Sequence, residues 1–362
     1  MKDRRPERMQ ALLSRLSRDN LDALVVSHPA NVRYLTGFSG SSGLLLIAQR
    51  GAVFITDFRY ETQSREEIGV LARIVIDGTG AWERLVKLIP ECGARAVGYE
   101  AHVLTVREAD HLAADKLPCH FSPCSDLVEV LRAVKSPEEV ESIRSAASLA
   151  GDALAETVHQ VRAGQTEQEV AAILEGALRR GGTEGYPFPT IVASGPRSAL
   201  PHARTSSRVI APGDFLLLDF GAIVNGYVSD VTRTFVVGAQ PTVRQAEAYA
   251  LVESAQRAAL VGLRAGLSGR QADALARDVM EAAGQGPAFG HSLGHGIGLE
   301  VHEAPRLART ADQVLPAGAV VTVEPGVYYS GWGGVRLEDD VVLSDGAALL
   351  LTQFPRDLLV LG

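Results

Sequence analysis

Two segments in the second half of the sequence place carboxylates inside runs of apolar residues, and this feature constrains the fold more than any other. The first segment runs from Phe215 to Val237 and turns at Asn225-Gly226, and the second runs from Val320 to Leu343 and turns near Gly331 to Gly334. A strand, a glycine-containing turn and a second strand predict a β-hairpin in each segment. The two hairpins are therefore the predicted frame for any site that these acids form.

Each hairpin carries two acidic residues where the apolar pattern predicts burial. They are Asp219 and Asp230 in the first hairpin and Glu324 and Glu338 in the second. An acid alone near a strand end is usually a solvated or capping residue, but four converging buried carboxylates would repel one another strongly. One or two divalent cations would neutralise them, so the pattern indicates a metal site.

The turn at Asn225-Gly226 sets the register expected in the first hairpin. A two-residue turn pairs Asp219 with Thr232, which makes Asp230 the diagonal neighbour of Asp219 on the same face. A β-bulge would shift this register by one residue. We therefore expect these two carboxylates to reach one shared ion.

One histidine completes the predicted ligand set. His295 lies in the segment from His291 to His302, where glycines let the backbone approach an ion closely. The segment has too many glycines for a helix, and no HExxH motif occurs in the chain. His202 is equally consistent with a functional and an ordinary role. Four further histidines are interpreted as ordinary residues without a functional role: His102, His111, His120 and His159.

The first third of the chain alternates short apolar runs with helical periodicity, which predicts a small α/β domain. The predicted strands are Leu21 to Val26, Leu44 to Ala48, Ala52 to Ile55 and Ala72 to Ile76, and the predicted helices are Trp82 to Ile89 and Val106 to Lys116. This domain is expected to end near Leu127, so the predicted domains are residues 1–127 and 128–362.

The second domain begins with helix signals that alternate with the hairpins. Ser136-Pro137-Glu138-Glu139 combines a capping box with proline at the first helical position. Similar starts occur at Thr166 to Glu169, with a stop at Gly181-Gly182, and at Ser268 to Gln271, with a stop near Gly284. The second domain is therefore predicted to contain two related halves, each with helices before a hairpin.

Composition excludes several classes of function. The chain has 46% hydrophobic and 22% charged residues, as ordinary globular proteins do, and its net charge of -8 argues against nucleic-acid binding. Its densest basic cluster, at Arg4, Arg5 and Arg8, is interpreted as a solvated helix face. No apolar stretch suits a signal peptide or a membrane span. The three cysteines are Cys92, Cys119 and Cys124. They are interpreted as ordinary thiols, which suits a reducing, cytoplasmic location.

Five stretches of the second domain follow one another in a specific order. They are Leu218 to Gly221, Ser229 to Thr234, Gly294 to Gly298, Thr322 to Gly326 and Val335 to Asp339. Together they resemble the motifs of the Xaa-Pro peptidase family, which includes prolidase and aminopeptidase P. Asn31 to Phe38 and Thr56 to Tyr60 resemble, less specifically, that family's amino-terminal domain. The resemblance implies an α/β (α+β) protein with a pita-bread catalytic domain after a smaller creatinase-type α/β domain.

The resemblance implies a two-metal centre in which every ligand position is filled. Asp219 would bind one metal, Asp230 and Glu338 would bridge both, and His295 and Glu324 would complete the other. Creatinase and the chaperone-like relatives have lost several of these acids, which this chain retains. Four carboxylates and one imidazole favour Mn(II) or Co(II), with Zn(II) as an alternative, and the resemblance points to manganese.

The resemblance also implies a reaction, the hydrolysis of the imide bond before proline by a hydroxide that bridges the metals. Glu324 would act as general base and acid, and His302 would donate to the developing oxyanion. The other groups expected to act on or bind the substrate are His202, His291, Arg306, Tyr328 and Arg336. Arg306 would hold the free carboxylate of a dipeptide, and Arg336 would support the metal-binding carboxylates.

Three alternatives stand beside the leading hypothesis of a metal-dependent Xaa-Pro dipeptidase. The first is an aminopeptidase P that acts on longer peptides with proline second. The second, from another class, is a non-catalytic peptide-binding pita-bread protein, and the third is a creatinase-like hydrolase without metal, which would leave the acids idle. The resemblance also implies a homodimer in which one amino-terminal domain borders the partner's site.

Overall fold

The structure is a computed structural model that describes residues 3–78, 80–114 and 117–362. It divides into two compact units, the first reaching to Arg132 and the second beginning at Ala133. The short helix α6 (Glu129–Arg132) follows the predicted boundary at residue 127 and belongs to the first unit. The exact boundary between the folding domains therefore stays a prediction.

The first unit is built on a six-stranded mixed sheet with the order β4-β3-β2-β1-β5-β6. Its strands are β1 (Ala23–Val26), β2 (Leu44–Ala48), β3 (Gly51–Thr56), β4 (Arg73–Ile76), β5 (Ala96–Glu100) and β6 (His120–Cys124). Its longer helices are α1 (Arg5–Arg18), α2 (Pro29–Thr36), α3 (Glu61–Ile68), α4 (Ala81–Cys92) and α5 (Val106–Ala114). The predicted strands and helices are confirmed to within three residues, the largest difference being at the end of α4, except that the predicted end of α5, at 115–116, lies outside the described residues.

Two arginines of α1 contact the rest of the first unit. Arg5 Nη1 donates a hydrogen bond to the carbonyl oxygen of Thr36 at 2.8 Å, and the Arg8 guanidinium lies 4.2 Å from the centre of the Tyr34 ring. The interpretation of the basic cluster as a solvated helix face is therefore wrong for Arg5 and Arg8. Their long side chains can cover apolar surface while the charged ends find backbone oxygens, which sequence periodicity does not reveal.

The second unit repeats a pair of helices followed by strands. The first half contains α7 (Pro137–Val158), α8 (Glu167–Gly181), β7 (Ile191–Ser194), β8 (Phe215–Phe220), β9 (Ile223–Val224), β10 (Tyr227–Val228) and β11 (Val231–Val237). The second half contains α9 (Val243–Gly262), α10 (Gly269–Ala282), β12 (Gly294–Gly296), β13 (Glu303–Leu307), β14 (Val320–Val323), β15 (Gly326–Tyr329), β16 (Gly333–Arg336) and β17 (Asp339–Val342). The final strands are β18 (Leu349–Leu350) and β19 (Val360–Leu361). The two predicted α-then-β halves are present.

Capping boxes start the helices of this unit where the sequence predicts them. Ser136, Thr166 and Ser268 each accept a hydrogen bond from the third helical residue, and Gly182, with a φ of 94°, caps the end of α8. Helix α9 is not among the predicted elements, although it also starts with a capping box, at Thr242. Many of the buried residues of α9 are alanines, whose small side chains produce weak apolar periodicity.

Each predicted hairpin consists of two strand pairs separated by a break. β8 and β11 belong to a four-stranded sheet of order β19-β11-β8-β7, whereas β9 and β10 form a separate two-stranded tip. Likewise, β14 and β17 belong to a five-stranded sheet of order β13-β12-β14-β17-β18, and β15 and β16 form the second tip. The helices pack against these sheets over two large apolar clusters, each made mainly by one half, and a smaller cluster joins residues of both halves.

The register predicted for the first hairpin is confirmed. Asp219 pairs with Thr232, and Val224 pairs with Tyr227 across the turn. The two turn residues, Asn225 and Gly226, have φ values of 53° and 78°, as the two-residue turn of a twisted hairpin requires.

Among the described residues, no helix combines the length and apolar character needed to cross a bilayer.

Candidate metal centre

The four predicted acids lie at or beside the breaks in the two hairpins. Asp219 is the penultimate residue of β8, and Asp230 immediately precedes β11. Glu324 directly follows β14, and Glu338 immediately precedes β17. Because the strands change partners at these points, side chains from both hairpins can converge on one place. Three of the acids are almost fully buried, with exposures of 8% for Asp219, 5% for Asp230 and 2% for Glu338.

The structure brings these acids together around His295. One potential ligand atom from each of Asp230, His295 and Glu338 lies within 4.8 Å of the others. His295 Nε2 lies 3.4 Å from Glu324 Oε1 and 3.9 Å from Asp230 Oδ2. The Asp219 charge acts on Asp230, Glu324 and Glu338. The five residues predicted to bind metal thus form one cluster.

Glycines on both sides of His295 allow β12 to lie between β13 and β14. A Cβ atom on Gly294 would lie 2.0 Å from the carbonyl oxygen of Thr322, and one on Gly296 would lie 2.2 Å from that of Ala304. Such distances are impossible for any side chain, so only glycine fits at both positions. The close approach explains why the glycine-rich sequence around the histidine is needed.

The orientation of the His295 ring suits metal binding. Its Nδ1 atom lies 3.1 Å from the carbonyl oxygen of Gly296, which can accept a hydrogen bond but cannot donate one. Nδ1 therefore carries the hydrogen, and the lone pair of Nε2 points toward carboxylate oxygens that would repel it unless a cation lies between them. Burial lowers the pKa of His295 to about 4, which keeps the imidazole neutral.

Two carboxylate oxygens of the cluster also need a positive partner. Asp219 Oδ1 and Asp230 Oδ1 are buried, and neither has a hydrogen-bond partner in the part of the chain that the structure describes. An oxygen of this kind is costly to bury without a donor or a cation. The donor set, the neutral imidazole and these two oxygens together fit a site for divalent cations.

The electrostatics of the cluster point the same way. Burial raises the pKa of Asp230 and Glu324 well above the usual range, and the neighbouring carboxylates, with Glu338 first among them for both, add to this increase. Burial, followed by the Asp219 charge, raises the pKa of Glu338 to about 8. A bound cation would favour the ionised forms, so metal binding at neutral pH should release protons.

A buried arginine connects the two hairpins. Arg336 donates a hydrogen bond from Nη2 to Asp219 Oδ2, and its Nε donates to Thr232 Oγ1 at 3.0 Å. The Thr232 hydroxyl in turn donates to Glu338 Oε2 at 2.6 Å. The arginine therefore contacts an acid of the first hairpin directly and one of the second through Thr232.

His291 and Tyr328 form a polar wall next to the acids. The Tyr328 hydroxyl lies 2.9 Å from His291 Nε2 and accepts a hydrogen bond from Arg336 Nη1 at 2.9 Å. His291 Nδ1 lies 2.9 Å from the carbonyl oxygen of Ser292, so Nε2 is the acceptor for the tyrosine hydroxyl. Burial lowers the pKa of His291 to about 4 and raises that of Tyr328 to about 12. Both groups are therefore neutral near pH 7.

The remaining predicted residues lie at the open side of the cluster. The His302 ring centre lies 4.3 Å from that of His295, and Arg306 pairs with His295 across β12 and β13. His202 lies close enough that its charge influences Asp219 and His302. All three of these side chains are exposed, so they can meet a ligand that enters from solvent.

Comparison with known protein families identifies the centre. Residues 141–345 match metallopeptidase family M24, and residues 8–134 match the creatinase/prolidase N-terminal domain. The first match alone covers more than half of the chain. The chain belongs to metallopeptidase family M24.

Relatives of this M24 metallopeptidase match it along nearly its whole length. An uncharacterised peptidase of Bacillus subtilis is 39% identical, covering 98% of this chain and 99% of that protein. The solved structure of an Xaa-Pro dipeptidase from Bacillus anthracis is 41% identical with a TM-score of 0.95, covering 99% of this chain and 100% of its own. That of an X-Pro aminopeptidase from Thermotoga maritima is 36% identical with a TM-score of 0.91, covering 98% and 99%. These similarities confirm the predicted family, fold class and metallopeptidase activity.

The M24 centre also depends on residues that the sequence did not single out. Arg233 Nη2 donates to Asp339 Oδ1 at 2.7 Å, and its Nη1 donates to the backbone oxygen of Glu338 at 2.7 Å. Asp340 Oδ2 accepts a hydrogen bond from the backbone nitrogen of Asp230 at 3.0 Å. These contacts fix the backbone at two of the clustered acids. The run of three acids at 338–340 inside an apolar segment was the available signal.

Proposed function

We propose that this M24 metallopeptidase is an Xaa-Pro dipeptidase that hydrolyses the imide bond before proline. The observation that carries the proposal is the cluster of four acids, three of them almost fully buried, around the Nε2 lone pair of His295, with Arg336 and Tyr328 beside it. The dipeptidase from Bacillus anthracis, which this chain resembles at 41% identity over almost its full length, supports the choice of substrate.

We assign the metal-binding role to the five clustered residues. The proposed ligands are Asp219, Asp230, His295, Glu324 and Glu338. Bound divalent cations would supply Lewis acidity toward the peptide carbonyl and would lower the pKa of water enough to provide hydroxide as the nucleophile near neutral pH. Manganese is the proposed native metal because oxygen donors outnumber the single nitrogen.

The chain's own groups then have separate roles around the scissile bond. The Glu324 carboxylate takes the proton of the attacking water and returns it to the leaving proline nitrogen. His302, exposed above His295, donates a hydrogen bond to the oxygen that gains negative charge during the attack, and His202 contacts the substrate from the same open side. The polar wall of His291 and Tyr328 is uncharged, and the Tyr328 ring adds an apolar surface to it.

Proline selectivity follows from the same wall. The nitrogen of an imide bond has no hydrogen to donate, so a site that presents a ring pocket and demands no donor admits such bonds selectively. The ring of Tyr328 can form such a pocket surface. Its hydroxyl is already engaged, because it accepts a hydrogen bond from Arg336. We propose that the proline ring packs against Tyr328.

Arg306 favours a dipeptidase over an aminopeptidase P. Its side chain is exposed beside β12, and burial, then the charge of His202 and last that of Arg306 lower the pKa of His302. A cation at this position can bind the free carboxylate of a dipeptide, which a longer peptide lacks. The Thermotoga maritima aminopeptidase is a similar structure, so the alternative requires a direct test.

The test compares substrates on the purified protein supplied with Mn(II). An Xaa-Pro dipeptide should be cleaved with a higher kcat/KM than the Xaa-Pro-Xaa tripeptide, and Arg306→Gln should reduce this preference by raising KM for the dipeptide. Arg309→Gln is a matched control, because Arg309 forms a surface ion pair with Glu281. Faster cleavage of the tripeptide by the unaltered protein would replace the dipeptidase with an aminopeptidase P.

We also propose a homodimer and a cytoplasmic location. The dimer rests on the family resemblance, and the location rests on the three cysteines, which are all free thiols. One chain has a mass of 38.4 kDa, and light scattering of the purified protein should give twice this value. A monomeric mass would contradict the proposed dimer.

A further inference from the structure

The first unit contains a second group of metal-ligating side chains, separate from the M24 centre. His28, His102 and Glu129 each present one potential ligand atom, and these three atoms lie within 4.8 Å of one another. His102 Nε2 lies 3.3 Å from Glu129 Oε1, and the centres of the two imidazole rings are 5.8 Å apart. The side chain of His102 is 42% exposed, so an ion can reach the group from solvent.

The topology of the sheet explains why these residues meet. His28 is the second residue after β1, and His102 is the second residue after β5. Glu129 is the first residue of α6, which follows β6. β1, β5 and β6 are parallel neighbours. Residues just beyond the carboxyl ends of parallel strands gather at one edge of a sheet, which is where α/β proteins commonly bind ligands.

Buried hydrogen bonds hold two of the three residues in place. Asn31 is fully buried and donates from Nδ2 to both Glu129 Oε1 and Glu100 Oε1, the latter at 2.6 Å. Glu100 Oε2 accepts a hydrogen bond from the backbone nitrogen of His28 at 2.8 Å. A supporting layer of this kind fixes ligand orientation in protein metal sites.

The local charge is compatible with a cation. Glu100 and Glu129 contribute two negative charges, and Arg132, which donates to Asn31 Oδ1 at 2.7 Å, contributes one positive charge. These three groups together carry one net negative charge, which favours a cation. Neutral imidazoles add lone pairs without adding charge.

We propose that His28, His102 and Glu129 form a binding site for a divalent cation of the zinc type. Two imidazole nitrogens and one carboxylate oxygen suit Zn(II), which takes four ligands, so a water or an external ligand would fill the fourth position. This nitrogen-rich set differs from the carboxylate-rich M24 centre and disfavours Mg(II) and Ca(II). His102, which the sequence alone indicates to be ordinary, becomes a ligand.

The test counts the Zn(II) bound by the full chain, by equilibrium dialysis followed by elemental analysis. His102→Ala and Glu129→Gln should each bind one equivalent of zinc less than the unaltered protein. His111→Ala is the matched control, because His111 is an exposed histidine of α5 in the same unit and should leave the count unchanged. An unchanged zinc count in His102→Ala would overturn the proposal and leave only a hydrogen-bonded pair of His102 and Glu129.

A second variant separates this site from the proposed function. The double substitution Asp230→Asn and Glu338→Gln should remove metal from the M24 centre while one zinc remains bound, and adding His102→Ala should remove it. If the M24 centre failed to bind metal at all, the zinc in the first unit would still be counted. If the double variant bound no zinc while circular dichroism showed that it was folded, the site in the first unit would be contradicted. The proposed function of the M24 centre would not be affected by that result.

Discussion

Arg336 donates a hydrogen bond to the carboxylate of Asp219, and both residues are almost fully buried although they lie on different hairpins. The same guanidinium binds the Thr232 hydroxyl and the Tyr328 hydroxyl with separate nitrogens, at 3.0 Å and 2.9 Å. A planar group with several fixed donors can make these contacts together, whereas a lysine ammonium cannot reproduce their geometry. The arginine is thus the structural link between the acids and the proposed proline wall.

Arg336→Lys should therefore impair metal binding and catalysis while preserving the charge. We expect a fall of about 10–100-fold in metal affinity or kcat, the usual effect of losing a group that orients metal ligands. Steady-state kinetics and metal titration on the purified variant measure both quantities. Arg309→Lys, on the surface, is the control. If Arg336→Lys retained full affinity and kcat, the orienting role of the guanidinium would be refuted.

Asp230→Asn should remove both bound metal and hydrolysis. The substitution keeps the shape of the side chain but removes the negative charge of a residue that lies among His295, Glu324 and Glu338. We expect activity to fall by more than about 100-fold, because even groups outside the ligand set cost roughly 10–100-fold. Elemental analysis and a peptidase assay provide the measurements, with the exposed Asp278→Asn as control. A non-catalytic peptide-binding protein would, by contrast, still bind peptide after Asp230→Asn.

The sequence predicted more of the site than of its support. The ligand cluster follows from acids in apolar strands and from the register set at Asn225-Gly226, both of which are local features. The breaks in the hairpins are not local, because they arise where strands exchange one sheet for another. The buried pair of Arg233 and Asp339 was missed for the same reason, since its residues lie 106 positions apart. Contacts of this length become visible only when the fold is known.

The glycine before His295 provides a test of packing that does not involve a ligand. Alanine at Gly294 would place its Cβ 2.0 Å from the backbone oxygen of Thr322, so β12 and β14 would have to separate. We expect Gly294→Ala to lower the free energy of unfolding by about 1–3 kcal/mol or more, as overpacking does. Gly290→Ala is the matched control, because a Cβ there would meet no atom within 4 Å. Equal denaturant midpoints for the two variants would contradict the close approach of the strands.

The raised pKa values predict how pH affects the protein with and without metal. Burial and then the Asp219 charge raise the pKa of Glu338 in the fold from the ordinary 4.5 to about 8. A carboxyl group whose folded pKa exceeds its unfolded value binds a proton more tightly in the fold. Its contribution to stability is therefore present below pH 4.5 and is lost as the pH rises through 8. Burial raises the pKa of Asp230 and Glu324 in the same direction.

In the presence of a chelator, the melting temperature should therefore decrease between about pH 5 and pH 8, because ionised carboxylates accumulate in the buried cluster. Saturating Mn(II) should reverse this trend, since the cation binds the ionised carboxylates and its affinity rises as protons leave. Scanning calorimetry across this pH range, with and without Mn(II), measures both curves. Parallel curves would mean that proton loss and metal binding are independent, and that the acids do not share a cation.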